Sequence, residues 1–462
     1  MPQSYIILFA QAHNDFRLPE LNSVSELYGI NYTLSYASDP SRPFMTIELE
    51  SEEHARLLAK RCILIKSIYE YYGHGATYEQ LHQVNRANRV LWEHYIPSTS
   101  FKFVVTAYNH SIHKTRQKEV IESFSYMDFL GNIDMKDPDI VLGCFEEYAD
   151  KHEKTRTKQE GDGSFLQVYF GRLIEEGSAR QLISYFDVKK RVYYGNTSME
   201  SEISLLMANQ TLAAPGKLIY DPFMGTGSMA YPVAHFGAFI FGSDIDGRQM
   251  RGKGKPPGVI RAATQYEISS KILDLCTFDV TQNPWRLGEL FDAIVTDPPY
   301  GVRAGAKRLG RKKELSPARY TAYLEHQKSL RTDDQPYVPP TKPYELSALV
   351  EDLVRLARHL LKPGGRLVFF LPTVVDDYQE IDINTMLCDG MEVIANSLQD
   401  FGSWGRRLIT IRKSTTARHP PPSFVSNEIV IDEHVPAHRD FREKYFRGFK
   451  KDDHDTTTVD HT

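Results

Sequence analysis

The chain has 462 residues, 41% hydrophobic and 25% charged, an ordinary globular composition from which two to four domains of about 100–200 residues are expected. Its net charge of −5 excludes nucleic-acid binding through global charge, so any RNA contact must rest on local basic patches. No stretch approaches the roughly 18 apolar residues of a membrane span, and Cys62, Cys144, Cys276 and Cys388 form no CxxC pair, so no metal is expected and the thiols read as reduced, as in a cytoplasmic or nuclear protein.

The run Tyr5–Ala10 is apolar without a basic stretch ahead of it and reads as a strand, not a signal peptide. Strands are predicted over 4–11, 42–50, 99–109 and 168–175. Residues 51–73 carry helical periodicity, with Ala55, Leu58, Cys62, Ile65 and Ile68 on one face. The polar stretch Lys151–Ser164 reads as a loop, Cys276 as a core thiol, and 110–118 (HSIHKTRQK) as a small basic candidate for RNA contact. Two α+β modules are expected, over 1–80 and 81–190.

A distinctive linker follows over 191–215. Thr197 or Ser198 can cap a helix there, Glu200 or Glu202 supplies its acidic first turn, and Pro215 is expected to end it. From 216 to 415 the pattern becomes strand–turn–helix, with apolar strands that read as a doubly wound, mainly parallel α/β sheet of Rossmann-like type. The helix before the strand GGRLVFFLP carries a stripe of Leu346, Leu349, Val350, Leu353, Leu356, Ala357 and Leu360. The tail, 416–462, is Pro-rich and then mixed, and its last dozen residues are expected to be disordered.

Four strand ends carry chemistry. The first, Asp221-Pro222-Phe-Met-Gly225-Thr-Gly227, is a Gly-rich turn between a strand and a helix, where a cofactor can approach the backbone. Asp244 closes the second strand 23 residues later, the place for a carboxylate that holds ribose hydroxyls; Asp246 reads as a solvated strand-end residue. Asp279, at the end of the third, can accept from an adenine amine. The fourth ends in Asp297-Pro298-Pro299-Tyr300. An exocyclic amine is a poor nucleophile because its lone pair is delocalised into the ring. Acceptors at Asp297 and the Pro298 carbonyl, stiffened by Pro299, favour the pyramidal geometry it needs, and Tyr300 offers a flat face to an unstacked base. Beyond it, Arg303, Lys307, Arg308, Arg311, Lys312 and Lys313 form a basic run suited to phosphates, in a segment, 302–343, expected to order only with RNA or a partner.

The order of cofactor turn, acidic strand two, strand-three Asp and DPPY resembles the amino-methyltransferases. With the linker RVYYGNTSMESEISLLMANQ, the strings DPFMGTGS and TDPPYGVR and the C-terminal FREKYFRGF (441–449), the chain resembles the THUMP-domain tRNA guanine-N2 methyltransferases, and among them the catalytic subunits acting on guanosine at tRNA position 10 in eukaryotes. The resemblance spans nearly the whole chain, is strongest over 185–415 and is weak over 1–100. It implies a seven-stranded methyltransferase domain over 216–415, a THUMP domain over 81–190 that grips the tRNA acceptor end, S-adenosylmethionine as methyl donor, and a small zinc-binding activator subunit docked on the methyltransferase sheet. By the same resemblance Thr197 and Ser198 would approach the donor's methionine portion; from sequence Ser198 serves equally as a helix cap. The DPPY chemistry alone would also serve DNA adenine or a protein glutamine, and an RNA-binding scaffold is the non-enzymatic alternative.

Overall fold

In the computed structural model, placement is described for residues 2–34, 39–149, 164–300, 305–310, 316–329, 340–424, 438, 439 and 441–447. The chain divides into two units, Met1–Ser184 and Tyr185–Thr462.

In the first unit, short runs rich in aromatic and β-branched residues become β1 (Gln3–Phe9), β2 (Tyr32–Leu34), β3 (Phe44–Leu49), β4 (Ile65–Gly75), β5 (Phe101–Tyr108), β6 (Ile140–Tyr148) and β7 (Phe165–Glu176). They form one seven-stranded sheet in the order β2-β3-β1-β4-β7-β6-β5, antiparallel except for β5 and β6. Strands from both expected N-terminal modules thus lie in a single sheet.

The helix predicted over 51–73 is half right. Ser51 caps it, its hydroxyl accepting from the His54 amide at 3.3 Å, and Glu52–Arg61 is helical, but Cys62 is already extended and Ile65–Gly75 is β4. This strand lies between β1 and β7 and is buried on both faces, so its apolar residues do not alternate and mimic a continued helical stripe. The intervening turn is held by the buried Glu20 carboxylate, which accepts from the Ile63 and Leu64 amides at 2.7 and 2.9 Å.

The second unit holds the doubly wound sheet. Its strands are β8 (Leu218–Asp221), β9 (Phe239–Asp244), β10 (Ile272–Thr277), β11 (Phe291–Thr296), the short β12 (Lys307–Leu309) and β13 (Thr341–Pro343), β14 (Leu361–Val374), β15 (Met391–Asp400) and β16 (Trp404–Lys413). The main sheet runs β10-β9-β8-β11-β14-β16-β15, parallel from β10 to β14, with β16 and β15 antiparallel. Every residue of the stripe predicted on the helix Leu346–Leu360 is buried against this sheet's core, beside Tyr220, Phe291, Ile294 and Phe369. Cys276 is half-buried on the edge strand β10 rather than a core thiol.

Two expectations about segments change. The helix Ser201–Gln210 ends at Thr211, before Pro215, because Leu212 turns to a φ of 59°. Part of 302–343 has regular structure in the described residues: β12 pairs antiparallel with β13, and Pro317–Ser329 is helical. The rest of that segment, and the last dozen residues, expected to be disordered, lie outside the described residues. Among the described residues no helix is long and apolar enough to cross a membrane.

Candidate active site

The strand order reverses between β8 and β11, which leave the sheet centre in opposite directions of winding; in such sheets the crevice at the carboxyl ends of the strands receives ligands. The predicted residues converge on that edge. Ile294 of β11 is in register with Tyr220 of β8, so Asp221 and Thr296 end neighbouring strands. The Thr296 hydroxyl donates to Asp221 Oδ1 at 2.9 Å, and the Phe223 amide donates to the same oxygen at 3.0 Å. Asp221 is fully buried and its Oδ2 has no hydrogen-bond partner among the described residues. Burial pushes its carboxyl up to about 8, against the two hydrogen bonds that favour the ion.

The turn after Asp221 is shaped by its glycines. Gly225 and Gly227 have φ of 50° and 81°, and a Cβ on Gly227 would lie 2.9 Å from the Tyr231 hydroxyl and 3.0 Å from Val259. Pro222 is buried at the turn's start. The Gly225 amide donates to Asp244 Oδ2 at 2.9 Å, and the Asp246 amide donates to Oδ1 at 2.8 Å, so Asp244 binds the Gly-rich turn to the end of β9. Each oxygen keeps a further lone pair for a diol. Asp246 instead caps the short helix Gly247–Arg251 and pairs with Arg248 at 2.7 Å.

Asp279 is buried, its Oδ1 accepting from the Thr281 amide at 2.8 Å and its Oδ2 from the Leu309 amide. It therefore anchors β12, the strand that carries Lys307 and Arg308, to the end of β10. Lys307 is exposed, and the Arg308 guanidinium lies over the Tyr344 ring at 5.2 Å. Arg303, Arg311, Lys312 and Lys313 lie outside the described residues. In the other basic stretch, Arg116 is engaged by Glu146 at 3.3 Å, a structural role.

Asp297 follows β11 directly. Its Oδ1 is buried without a hydrogen-bond partner among the described residues. Burial raises its carboxyl to about 6, against the positive charge of Arg406 and a hydrogen bond from Tyr300. Pro298 is buried, and Tyr300 is half-buried against the sheet's core and bridges to Gly305.

Ser198 does not cap the following helix; Glu200 occupies that position. Its hydroxyl instead shares a 2.7 Å hydrogen bond with Thr226 and accepts from the Gly195 amide at 2.9 Å. Thr197 is exposed. Sequence reasoning missed three groups, two that fasten this linker and one that holds Asp221. Ser228 accepts from the Met199 amide at 3.0 Å and from buried Arg191 at 3.3 Å. Arg191 in turn lies over the Tyr231 ring at 4.6 Å. Thr296, adjacent to the motif, holds Asp221.

The arrangement suits a small ligand with a diol and a polar end. Asp221 offers an unclaimed buried oxygen, the two glycines leave room at the turn, and Asp244 and Asp279 mark two further acceptors along the same edge. Among the described residues no three His, Cys, Asp or Glu side chains are grouped to hold a metal ion.

Residues 3–180 match the family model described as Tmrp11 THUMP N-terminal domain, and 189–319 match the RMKL-like methyltransferase domain. The chain is 36% identical over 460 residues, 97% of its length and 100% of the relative's, to the tRNA (guanine(10)-N(2))-methyltransferase of Saccharomyces cerevisiae. It is 33% identical, over 97% of its length and 96% of the relative's, to the tRNA (guanine(10)-N(2))-methyltransferase TRMT11 of Homo sapiens. Among solved structures it is similar to TrmN from Thermus thermophilus, at 15% identity and a TM-score of 0.40 over 89% of this chain and 99% of that one.

Proposed function

Since this chain belongs to the tRNA (guanine(10)-N(2))-methyltransferase family, we propose that it transfers a methyl group to the exocyclic N2 amine of guanosine 10 in tRNA. S-adenosylmethionine fits the site and would supply the methyl group on its sulfonium. Asp221 and the linker around Ser198 would hold its amino-acid end, Asp244 its ribose and Asp279 its adenine amine. The observation that carries the reading is Asp297: a carboxylate on the loop after β11, one strand from Asp221, with one buried oxygen that no other group claims.

The target base must leave its stack to reach this loop. Asp297 and the Pro298 carbonyl accept from the two amine hydrogens, which draws the nitrogen lone pair out of conjugation and toward the methyl group. Pro298 and Pro299 fix the loop, so these acceptors need no reorganisation when charge develops. Methyl transfer, with the donor leaving as its thioether, would make the amine nitrogen cationic and require it to lose one proton. A carboxylate raised to about 6 by burial is suited to take that proton and release it to water. Tyr300 orients Asp297 and offers its ring to the base.

The first unit would grip the acceptor end of the tRNA as a THUMP domain does, and Lys307 and Arg308, with Arg303, Arg311, Lys312 and Lys313, would meet phosphates near the target. A small zinc-binding activator subunit would complete the active form. The edge strand β10, where Leu273 is 52% exposed, offers the unpaired backbone that strand addition requires. All four cysteines are free thiols, in keeping with a cytoplasmic protein. The test is methyl transfer from labelled S-adenosylmethionine to unmodified tRNA, with the product nucleosides identified. N2-methylguanosine at position 10 that is lost with Asp297→Ala, while cofactor binding persists, is expected; wild-type turnover in that variant removes the assignment.

A further inference from the structure

The carboxyl edge of the second sheet carries an aromatic cluster that the reaction, as described, does not use. Trp404 opens β16 and pairs with Val374 at the end of β14; it stands two strands, about 10 Å, to the side of β11 and, since Thr296 is in register with Phe369, about 16 Å beyond the end of that strand along its direction. Its ring is 4.6 Å from Phe401 in the hairpin turn, and 5.7 Å from both Phe441 and Tyr445 in the helix Phe441–Arg447. That helix is seven residues long, too short to persist unaided, and docks by burying Phe441. Docking leaves two rings outside: Phe401 is 46% and Phe446 64% exposed.

Cations stand among these rings. The Arg406 guanidinium is 5.7 Å from the Phe401 ring and 4.5 Å from Phe370, and is oriented by Gln399 at 2.6 Å and Glu200 at 2.9 Å. Lys444 pairs with Asp377 at 3.2 Å on the outer side of the helix. Both cations are matched by carboxylates, so what the patch offers an unpaired nucleotide is chiefly ring faces for stacking, with the Arg406 guanidinium packed against them. The same Arg406 whose charge acts on Asp297 packs against the Phe401 ring, which ties the patch to the acceptor loop and so to the RNA that loop would meet.

We propose that Phe401 and Phe446, presented by the Trp404 cluster and flanked by Arg406, form a stacking platform for an unpaired nucleotide of the RNA substrate a few positions from the one that enters the active site. The platform lies at the same sheet edge as the acceptor loop, and unstacking one base from a duplex or loop leaves its neighbours exposed and in need of partners. This rests on the RNA-methylating reading of the site, and it adds a second contact that holds the strand open while the target is turned in.

The test uses the full chain in its active complex, with unmodified tRNA as probe, and compares the double variants Phe401→Leu/Phe446→Leu and Phe401→Trp/Phe446→Trp with wild type. Both side chains are exposed, so neither pair is expected to disturb folding. Leucine keeps apolar area and removes the ring face; it should weaken tRNA binding by about tenfold or more, with cofactor affinity unchanged, and tryptophan should restore it. Leucine variants that bind tRNA as wild type does would overturn the platform, as would leucine variants that lose a protein subunit while keeping tRNA affinity. If wild type binds tRNA with the expected ring dependence but transfers no methyl group to it, the platform stands and the proposed reaction falls. If wild type neither binds nor methylates tRNA, both fall.

Discussion

In the proposed reaction the chemistry turns on Asp297, and its titration gives a measurable consequence. If the carboxylate is the acceptor, as proposed, activity follows its ionised fraction. Burial raises the group to about 6, so about one site in eleven is ionised at pH 5 and about ten in eleven at pH 7. The acid limb of kcat/KM should therefore fall about tenfold between pH 7 and pH 5, with an inflection well above that of an ordinary aspartate. Asp297→Asn keeps the side chain's shape but exchanges one acceptor for a donor and removes the charge. By analogy with the loss of one preorganised acceptor or donor at a reacting centre, its plateau should fall by about 10²–10³ and its acid limb should flatten. Tyr300→Phe deletes one of the two influences that hold the carboxyl down, and should move the inflection upward. Initial rates of labelled methyl transfer at fixed ionic strength, with cofactor binding checked at each pH, give all three profiles. A wild-type profile flat from pH 5 to 7, or an acid limb that persists in Asp297→Asn, refutes the role given to this carboxylate.

Two further outcomes follow. Asp221 is raised to about 8 from 3.8 by burial, so between those values the folded chain holds a proton that the unfolded chain has lost, and stability falls as pH rises, by at most about 1.4 kcal/mol per pH unit. Denaturation of the cofactor-free protein should show Asp221→Asn gaining on wild type steadily from pH 5 to 8; a constant difference would contradict the titration. Replacing Lys307 and Arg308 by Gln should lower the slope of log affinity for tRNA against log salt by about 0.7–0.9 for each phosphate that is no longer neutralised, and an unchanged slope would remove β12 from the RNA interface.

The candidate site could be picked out because each of its carboxylates stands at or just past a strand end, and period and punctuation alone mark strand ends. Asp221, Asp244, Asp279 and Asp297 could all be picked out in this way. What could not be read were partners set by sheet order. Thr296 was adjacent to a quoted motif, yet its bond to Asp221 crosses 75 residues and depends on β11 lying beside β8. Arg191 carries no local signal, since its place is defined by the ring of Tyr231 and the hydroxyl of Ser228. Ser198 matched a cap by spacing, but Glu200 took that position and the serine turned to Thr226. The overlong helix failed for a different reason: in a strand buried on both faces, alternation vanishes, and Ile65 and Ile68 then fit a helical stripe as well as a strand. The β12–β13 pair is three residues long on each side, below what periodicity can detect.

The insertion of β11 between β8 and β14 also governs how the chain can be made. A ribosome that has delivered β8, β9 and β10 has released three parallel strands whose inner edge, at the fully buried Ile219 and Tyr220, still has no neighbour. That edge stays open until Phe291–Thr296 emerges, and Asp221 has no Thr296 to hold it before then. The emergence of β11 joins Asp221 to Thr296 but opens a new edge that waits for Leu361–Val374, so from β8 onward the growing sheet carries an exposed inner edge that a chaperone or an early-binding subunit can cover.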